Sequence, residues 1–248
     1  MTSEKTRKTQ AERSDEMRRR VLDAAIKVLK LRGYAGFRTA EVAKVASVSR
    51  GAQTHHFPTK DVLALEAVEY MFSRVKERAL DRVDRLRAGS NIVGAIIEDS
   101  TSLFMHDDFF MTLDVIIGAG KGSSLGGQAA SVARTYRLPV EQAWCEALQA
   151  EGYSPEDAND LVWITNSIVR GLAIRMLWQS DPDRFAHVLA LWQNIAGQYF
   201  SPVRKPATVA RKNIGVAPKK SSTAVTPRAA KILPQPAALK PAPARRAA

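Results

Sequence analysis

Apolar residues recur at intervals of three and four positions through most of residues 14–200, a spacing typical of helices that bury one face. The first such segment begins at Ser14 and ends at Gly33-Tyr34, and its inward face consists of Val21, Ala24, Ala25, Val28 and Leu29. A long amphipathic helix is predicted from Asp61 to Arg87, with Leu63, Ala67, Tyr70 and Met71 along one side. Gly89-Ser90-Asn91 then breaks the pattern.

The remaining pattern is also helical. It predicts a helix over residues 92–104, another within residues 105–120, and a Gly/Ser-rich loop over residues 118–127. Three more predicted helices follow: residues 129–152 with an interruption at Pro139, residues 154–180, and residues 181–199. Proline in the first turn of the last two fits a helix start. We therefore expect an all-α fold.

Residues 39–56 form two short predicted helices with a tight turn between them. Thr39 is suited to cap the first, and Val42, Ala43 and Ala46 form its inward face. The turn falls near Ala46-Ser47-Val48, and Ser49 can cap a second helix that ends near His56. This second helix, RGAQTHH, has almost no large apolar residue. Such a composition suits a helix that reaches base edges and phosphates in a DNA major groove.

The segments on either side strengthen this interpretation. RRRVLDAAIKVLKLRGYAGFRT upstream and HFPTKD downstream stand in the order and spacing of the tetracycline-repressor (TetR) family, which residues 14–75 resemble. Ser47 stands where that family usually has glycine, and Gln53-Thr54 replace an apolar–tyrosine pair. The resemblance implies a bacterial transcriptional regulator with a helix-turn-helix domain, a helical domain for ligand sensing and dimerisation, and no enzymatic activity.

The predicted recognition helix offers several contacts to DNA. Arg50 could bond a guanine edge, Gln53 an adenine edge, and Ala52 could touch a thymine methyl group. Phosphate contacts are expected from the side chains of four residues and from one helix-terminal amide. The side chains are those of Ser49, Thr54, His55 and Lys60, and the amide is that of Thr39.

Charge is distributed unevenly along the 248 residues, whose net charge is +12. Residues 1–60 carry 14 Lys/Arg and 6 Asp/Glu, residues 61–200 carry 12 and 19, and residues 201–248 carry 11 and none. Basic ends favour a polyanionic partner. The last segment also holds eight prolines and no aromatic residue, a composition that predicts disorder. An architectural, largely non-specific DNA-binding protein dominated by this tail is the alternative function.

These features divide the chain into four expected parts. Residues 1–13 form a flexible basic arm, and residues 14–75 form the DNA-binding domain. Residues 76–200 form the ligand-sensing and dimerisation domain, and residues 201–248 form the disordered tail. The expected partners are double-stranded operator DNA, a second copy of the chain and a small-molecule effector of unknown identity.

An effector pocket among the middle helices follows from the resemblance. Asn166 and Arg170, one turn apart in an apolar segment, are candidate polar anchors. The candidate apolar lining is Phe104, Phe109, Phe110, Trp144 and Trp163. The last two helices are the expected dimer interface, because they carry more apolar surface than one helical layer can bury. These residues are Trp163, Ile164, Ile168, Leu172, Leu189, Leu191, Trp192 and Ile195.

Other chemistries find little support. Residues 114–124, DVIIGAGKGSS, lack the third glycine of a dinucleotide fingerprint and the Ser or Thr of a Walker A motif. His106-Asp107-Asp108 suits an N-terminal cap better than a metal site. Cys145 is the only cysteine, so no intramolecular disulfide can form, and it is expected to be buried. No catalytic triad spacing, signal peptide or membrane span is present, so we expect a cytoplasmic bacterial protein with no cofactor and no membrane partner.

Overall fold

The computed structural model describes residues 9–120 and 122–202, and every regular element in them is helical. In chain order the helices are α1 (Gln10–Gly36), α2 (Thr39–Ala46), α3 (Arg50–His56), α4 (Lys60–Asp84), α5 (Ile92–Phe104), α6 (Asp107–Gly118), α7 (Ser124–Ala150), α8 (Pro155–Arg175) and α9 (Pro182–Tyr199). Within these residues, no helix is long and apolar enough to cross a membrane. The all-α prediction is confirmed. The predicted tail and most of the predicted N-terminal arm lie outside the described residues.

Helix α1 begins earlier than the sequence pattern suggested. Thr9 caps it by accepting from the Glu12 amide at 3.2 Å, and the Glu12 carboxylate accepts from the Thr9 amide at 2.7 Å. This capping box satisfies amides that a helix start otherwise leaves free, so helix forms before Ser14. Gly33, at φ 63°, interrupts α1 where the sequence placed its end.

A first core joins the helix-turn-helix region to the centre of the molecule. Helix α1 packs on α2, α4 and α6, and α4 packs along α7. The fully buried side chains at this junction include Leu22, Leu29, Phe37, Phe57 and Leu63. Helices α1 and α4 therefore share one core with α6 and α7.

A second core lies among α5, α7, α8 and α9. Trp144 is its largest fully buried side chain, and Ile96, Leu148 and Leu161 are also fully buried. Trp192 on α9 is 8% exposed, and its indole N–H donates to the Thr165 hydroxyl at 2.9 Å. Trp192 was expected in the dimer interface; instead it anchors α9 to α8 within one chain.

Three helix boundaries differ from the predictions for physical reasons. Helix α7 continues through Pro139, where proline removes the amide partner of the Thr135 carbonyl; both residues are exposed. The same helix begins at Ser124, because the Ser123 hydroxyl caps it by accepting from the Gly126 amide at 3.1 Å. Glycine suits position 126, where a Cβ would lie 2.7 Å from the Ile116 carbonyl oxygen. Helix α8 ends at Arg175 rather than near Ser180, and beyond it the exposed Trp178 does not pack in a core.

Candidate nucleic-acid interface and internal cavity

The turn between α2 and α3 has the expected geometry. Ser47 adopts left-handed backbone angles (φ 54°, ψ 48°), the region that favours glycine. The Arg20 guanidinium donates to the carbonyls of Ala46 at 2.8 Å and Ser47 at 3.1 Å. Ser49 then caps α3 by accepting from the Ala52 amide at 3.1 Å, as predicted. Arg20 and Ser49 therefore fix the turn from both sides.

Helix α3 has a buried face and an exposed face. Successive side chains rotate by about 100° around a helix, so Arg50, Gly51, Thr54 and His55 fall on one side. All four are exposed, whereas Gln53 is only 3% exposed. The exposed face is polar and carries a glycine at its centre, a shape that allows close approach of another surface.

The structure places two of the predicted DNA-contact residues, Gln53 and Thr39, differently from the prediction. Gln53 points into the protein and does not present its amide to a base edge, because its position forms the inward side of α3. Arg38, rather than Thr39, is the N-cap of α2, and Thr39 is the first helical residue, where an amide still lacks an intrahelical partner. Ala52 is half-buried at the edge of the exposed face.

The other predicted contacts remain accessible. Ser49 is exposed and uses its oxygen for the cap, which leaves its O–H free to donate. The Thr54 hydroxyl donates to the Arg50 carbonyl at 2.8 Å and keeps its oxygen lone pairs. His55 is exposed and packs edge-on to His56, with ring centroids 5.4 Å apart. DNA contact by these residues stays a prediction.

Lys60, at the start of α4, is held beside the helix-turn-helix by an aromatic contact. Its Nζ lies 4.1 Å from the centroid of the Tyr34 ring, a cation–π arrangement. The Tyr34 hydroxyl donates to Asp61 Oδ1 at 2.6 Å. Burial and this hydrogen bond raise the pKa of the Tyr34 phenol to about 12, so the ring stays neutral and continues to favour the lysine.

A cavity of about 430 Å³ lies among α4, α5, α6, α7 and α8. Three of the predicted pocket residues, Phe104, Phe109 and Arg170, line it. Helix α7 also lines the cavity, which was not predicted; its lining residues are Ala133, Arg134, Arg137, Leu138 and Glu141. Arg134 and Arg137 are three positions apart and therefore share one face of α7, and this spacing in the sequence could have indicated their place at the cavity.

The remaining predicted pocket residues lie elsewhere. Trp144 is fully buried in the second core, and Trp163 is 69% exposed on the outer side of α8. Phe110 packs on the first core beside Phe109. Asn166 is buried behind the cavity wall, where it accepts from the Ser100 hydroxyl at 2.7 Å and donates to Glu141 at 3.1 Å.

A buried carboxylate organises this wall. Asp99 on α5 is 2% exposed and accepts from the guanidinium groups of Arg82 on α4 and Arg137 on α7, each at 2.9 Å. The Trp144 indole donates to the same carboxylate at 3.1 Å. Asp99 thus connects the cavity residue Arg137 to α4, which also carries Lys60.

Helix α6 touches the cavity and the DNA-binding region together. Phe109, Thr112, Leu113 and Ile116 line the cavity. Other positions on the same helix contact α1: Asp108 pairs with Lys30 at 2.6 Å, and Asp114 accepts from the Tyr34 amide. His106 caps α6 through its Nδ1, as the sequence analysis favoured. Helix α6 therefore contributes both to the cavity wall and to the contacts with α1.

Cys145 is 7% exposed, and burial raises the pKa of its thiol, as does the charge of Glu141. The expectation of a buried, unreactive cysteine agrees with this environment. Within the described residues, no group of three or more His, Cys, Asp or Glu side chains could hold a metal ion.

Helices α8 and α9 expose an apolar surface. Leu191, Ile195 and Tyr199 follow one another at four-residue intervals on α9 and are 49%, 47% and 79% exposed. Trp163 and Ile164 are exposed on α8. Of the eight residues predicted for the dimer interface, four are exposed, namely Trp163, Ile164, Leu191 and Ile195, and dimerisation through them stays a prediction.

The capped helix-turn-helix, its polar exposed face and the separate helical cavity are the features expected of a DNA-binding regulator of transcription. A family model described as bacterial regulatory proteins, tetR family, matches residues 21–67. The HTH-type transcriptional regulator CymR of Pseudomonas putida is 38% identical over 199 residues, which cover 80% of this chain and 98% of CymR. The chain belongs to the TetR family of transcriptional regulators.

Solved structures agree on the fold. A TetR-family regulator from Cytophaga hutchinsonii superposes with a TM-score of 0.60 at 16% identity, covering 79% of this chain and 100% of that one. A regulator from Saccharomonospora viridis in complex with choline has a TM-score of 0.59 at 18% identity, covering 75% and 98%. The family consists of regulators rather than enzymes, which agrees with the non-enzymatic prediction.

Proposed function

We propose that this chain is a ligand-responsive repressor that binds a palindromic operator as a homodimer in the bacterial cytoplasm. The observation that carries the proposal is the exposed face of α3, where Arg50, Thr54 and His55 project from a helix fixed by capped turns. Arg50 is the strongest candidate for base recognition, because a guanidinium can donate twice to a guanine edge. Residues 14–75 form the DNA-binding domain in this proposal, and residues 76–200 sense the effector and dimerise.

A second copy is required because one short helix reads few base pairs. A two-fold dimer presents paired recognition helices to half-sites about 34–36 Å apart, or at a longer in-phase spacing. The apolar surface of α8 and α9 supports this assembly, since Leu191 and Ile195 stay half exposed in the single chain. Burying them against the same helices of a partner makes a self-complementary interface.

Effector response follows from the position of the cavity. Its wall includes α6, which contacts α1 through Asp108 and Asp114, and Arg137, which reaches α4 through Asp99. A ligand releases DNA only if it binds the DNA-incompetent arrangement more tightly. By linkage, operator DNA then weakens ligand binding by the same factor.

Base recognition can be tested with duplexes selected from a random pool by the full-length protein. Affinity for the selected and the scrambled duplex is measured for wild type, Arg50→Ala and Lys60→Ala at several salt concentrations. Arg50→Ala should cost about 1–3 kcal/mol on the selected duplex and much less on the scrambled one. Lys60→Ala should weaken both alike and lower the salt slope by about one.

Gln53 supplies a contrast on the same helix. Because its side chain is 3% exposed, Gln53→Ala should affect the thermal stability of the domain rather than the preference for one duplex. Equal losses on both duplexes for Arg50→Ala would contradict base readout and favour the alternative of a non-specific, architectural DNA-binding protein.

A further inference from the structure

The cavity among α4, α5, α6, α7 and α8 opens to solvent and has a chemically divided wall. One part is apolar and aromatic, formed by side chains of α4, α5 and α6. These are Phe72, Leu103, Phe104, Phe109, Leu113 and Ile116. The other part, on α7 and α8, carries Arg134, Arg137, Glu141 and Arg170. A ligand that fills the cavity therefore needs an apolar body and a polar end.

The charges at the polar part do not cancel. Arg137 is compensated, because it donates to Asp99 at 2.9 Å and its Nε lies 3.6 Å from Glu141. Glu141 is in turn occupied by Asn166, which donates to it at 3.1 Å. Arg134 and Arg170 have no carboxylate within ion-pairing distance among residues 9–120 and 122–202. Both side chains are exposed, so two positive charges without a carboxylate partner lie at the solvent-open edge of an apolar cavity.

Arg170 is positioned by its stacking rather than by an acid. Its guanidinium carbon lies 4.8 Å from the centroid of the Phe104 ring, and that of Arg137 lies 5.8 Å from the same ring. Stacking occupies the flat face of a guanidinium and leaves the N–H groups at its edge available, and these match a carboxylate in a bidentate geometry. The Phe104 ring edge-packs on Phe109, which fixes the apolar floor beneath the arginine.

We propose that the cavity binds an amphiphilic carboxylic acid, with its hydrocarbon or aromatic body against Phe104 and Phe109 and its carboxylate at Arg170 and Arg134. This assignment rests on the effector role proposed above and adds the ligand class. A cationic ligand would meet two uncompensated arginines, and an uncharged one would leave them unused. The cavity thus differs in chemistry from one selective for a quaternary ammonium such as choline.

The test uses the full-length protein, isothermal titration calorimetry and matched probes. Octanoate and 4-phenylbutanoate are compared with their amides and with octyltrimethylammonium. Each acid should bind at least about tenfold more tightly than its amide, as expected for loss of one charge-assisted bond, and the ammonium should not bind. Arg170→Gln and Arg134→Gln should each reduce the acid-to-amide ratio without changing affinity for the amide.

Arg184→Gln on the exposed start of α9 is the matched control, and it should retain the wild-type ratio. Circular dichroism melts of each variant show whether a reduced acid-to-amide affinity ratio occurs in a protein that is still folded. Equal binding of acid and amide, tighter binding of the ammonium, failure of both acids to bind, or an unchanged ratio in folded Arg170→Gln would overturn the assignment.

Release of operator DNA by each compound is measured separately from its binding. The proposed ligand class and the proposed effector role can then be contradicted independently. If an acid binds with the expected ratio but leaves the operator complex intact, the site assignment stands and the effector role fails. If only an uncharged or cationic compound releases the operator, the regulatory role stands and the carboxylate assignment is wrong.

Discussion

Replacing the carboxylate of Asp99 by an amide (Asp99→Asn) should lower the stability of the helical domain far more than the corresponding Glu98→Gln change at the adjacent residue. Asp99 is 2% exposed and receives two guanidinium donors at 2.9 Å and the Trp144 indole at 3.1 Å. Loss of one partner of a buried ion pair costs about 3–5 kcal/mol. Asparagine keeps the size and one acceptor oxygen, so about 3 kcal/mol is expected. For a chain of this length that corresponds to a fall in Tm of about 6–12 °C.

Glu98→Gln is the matched control, because Glu98 is adjacent, 73% exposed and only 3.8 Å from Arg82. An exposed pair of this kind contributes about 0–1 kcal/mol. Melts followed by circular dichroism at one fixed protein concentration compare the two variants, since association also shifts Tm. Equal small shifts would refute the claim that Asp99 holds α4, α5 and α7 together.

Four further outcomes follow from the structure and the sequence. Leu191→Glu should convert a dimer to monomers in light scattering and weaken operator binding in titrations. Leu31→Glu is the control, at an apolar position on α1 that is even more exposed (71% against 49%), and it should leave the dimer intact. A wild-type monomer at micromolar concentration would contradict the dimer. Ser47→Gly should raise unfolding free energy by about 0.5–1 kcal/mol in urea titrations, because it relieves a left-handed serine, and a loss of stability would oppose this. Iodoacetamide should modify Cys145 much more slowly in the native protein than in urea at pH 8, because a raised pKa leaves less thiolate; equal rates would disprove it. Deleting residues 201–248 should reduce the salt slope on random DNA through loss of 11 positive charges, and an unchanged slope would exclude DNA contact by this segment under those conditions.

Local chemistry made the helix-turn-helix predictable. Ser49 and Ser154 cap helices because their hydroxyl oxygens accept from the backbone amides three residues later, so such signals lie within a few positions of sequence. The bounds Ile92–Phe104 were predicted from the break at Gly89-Ser90-Asn91, and in the structure Asn91 caps that helix. Ser47 was accepted in a glycine position of the turn, and the structure places it there in the left-handed region.

The candidate sites were less predictable because they depend on which side of each helix faces inward. Trp144 and Trp163 occupy similar apolar patterns, yet one is fully buried and the other is 69% exposed. Gln53 is buried because α3 packs its inward side on α1 and α2, which its own sequence of seven residues does not reveal. Asp99 went unnoticed because an acid is expected at the surface, and only the arginines from two other helices explain its burial.

Footprinting with a stoichiometric titration on the selected duplex is the most direct test of sequence-specific binding by paired protomers. We expect two protected half-sites related by two-fold symmetry and at least two protomers for each duplex. The affinity should be at least about 10³-fold above that for a scrambled duplex at the same salt concentration. Protection without symmetry, or equal affinity for both duplexes, would contradict it.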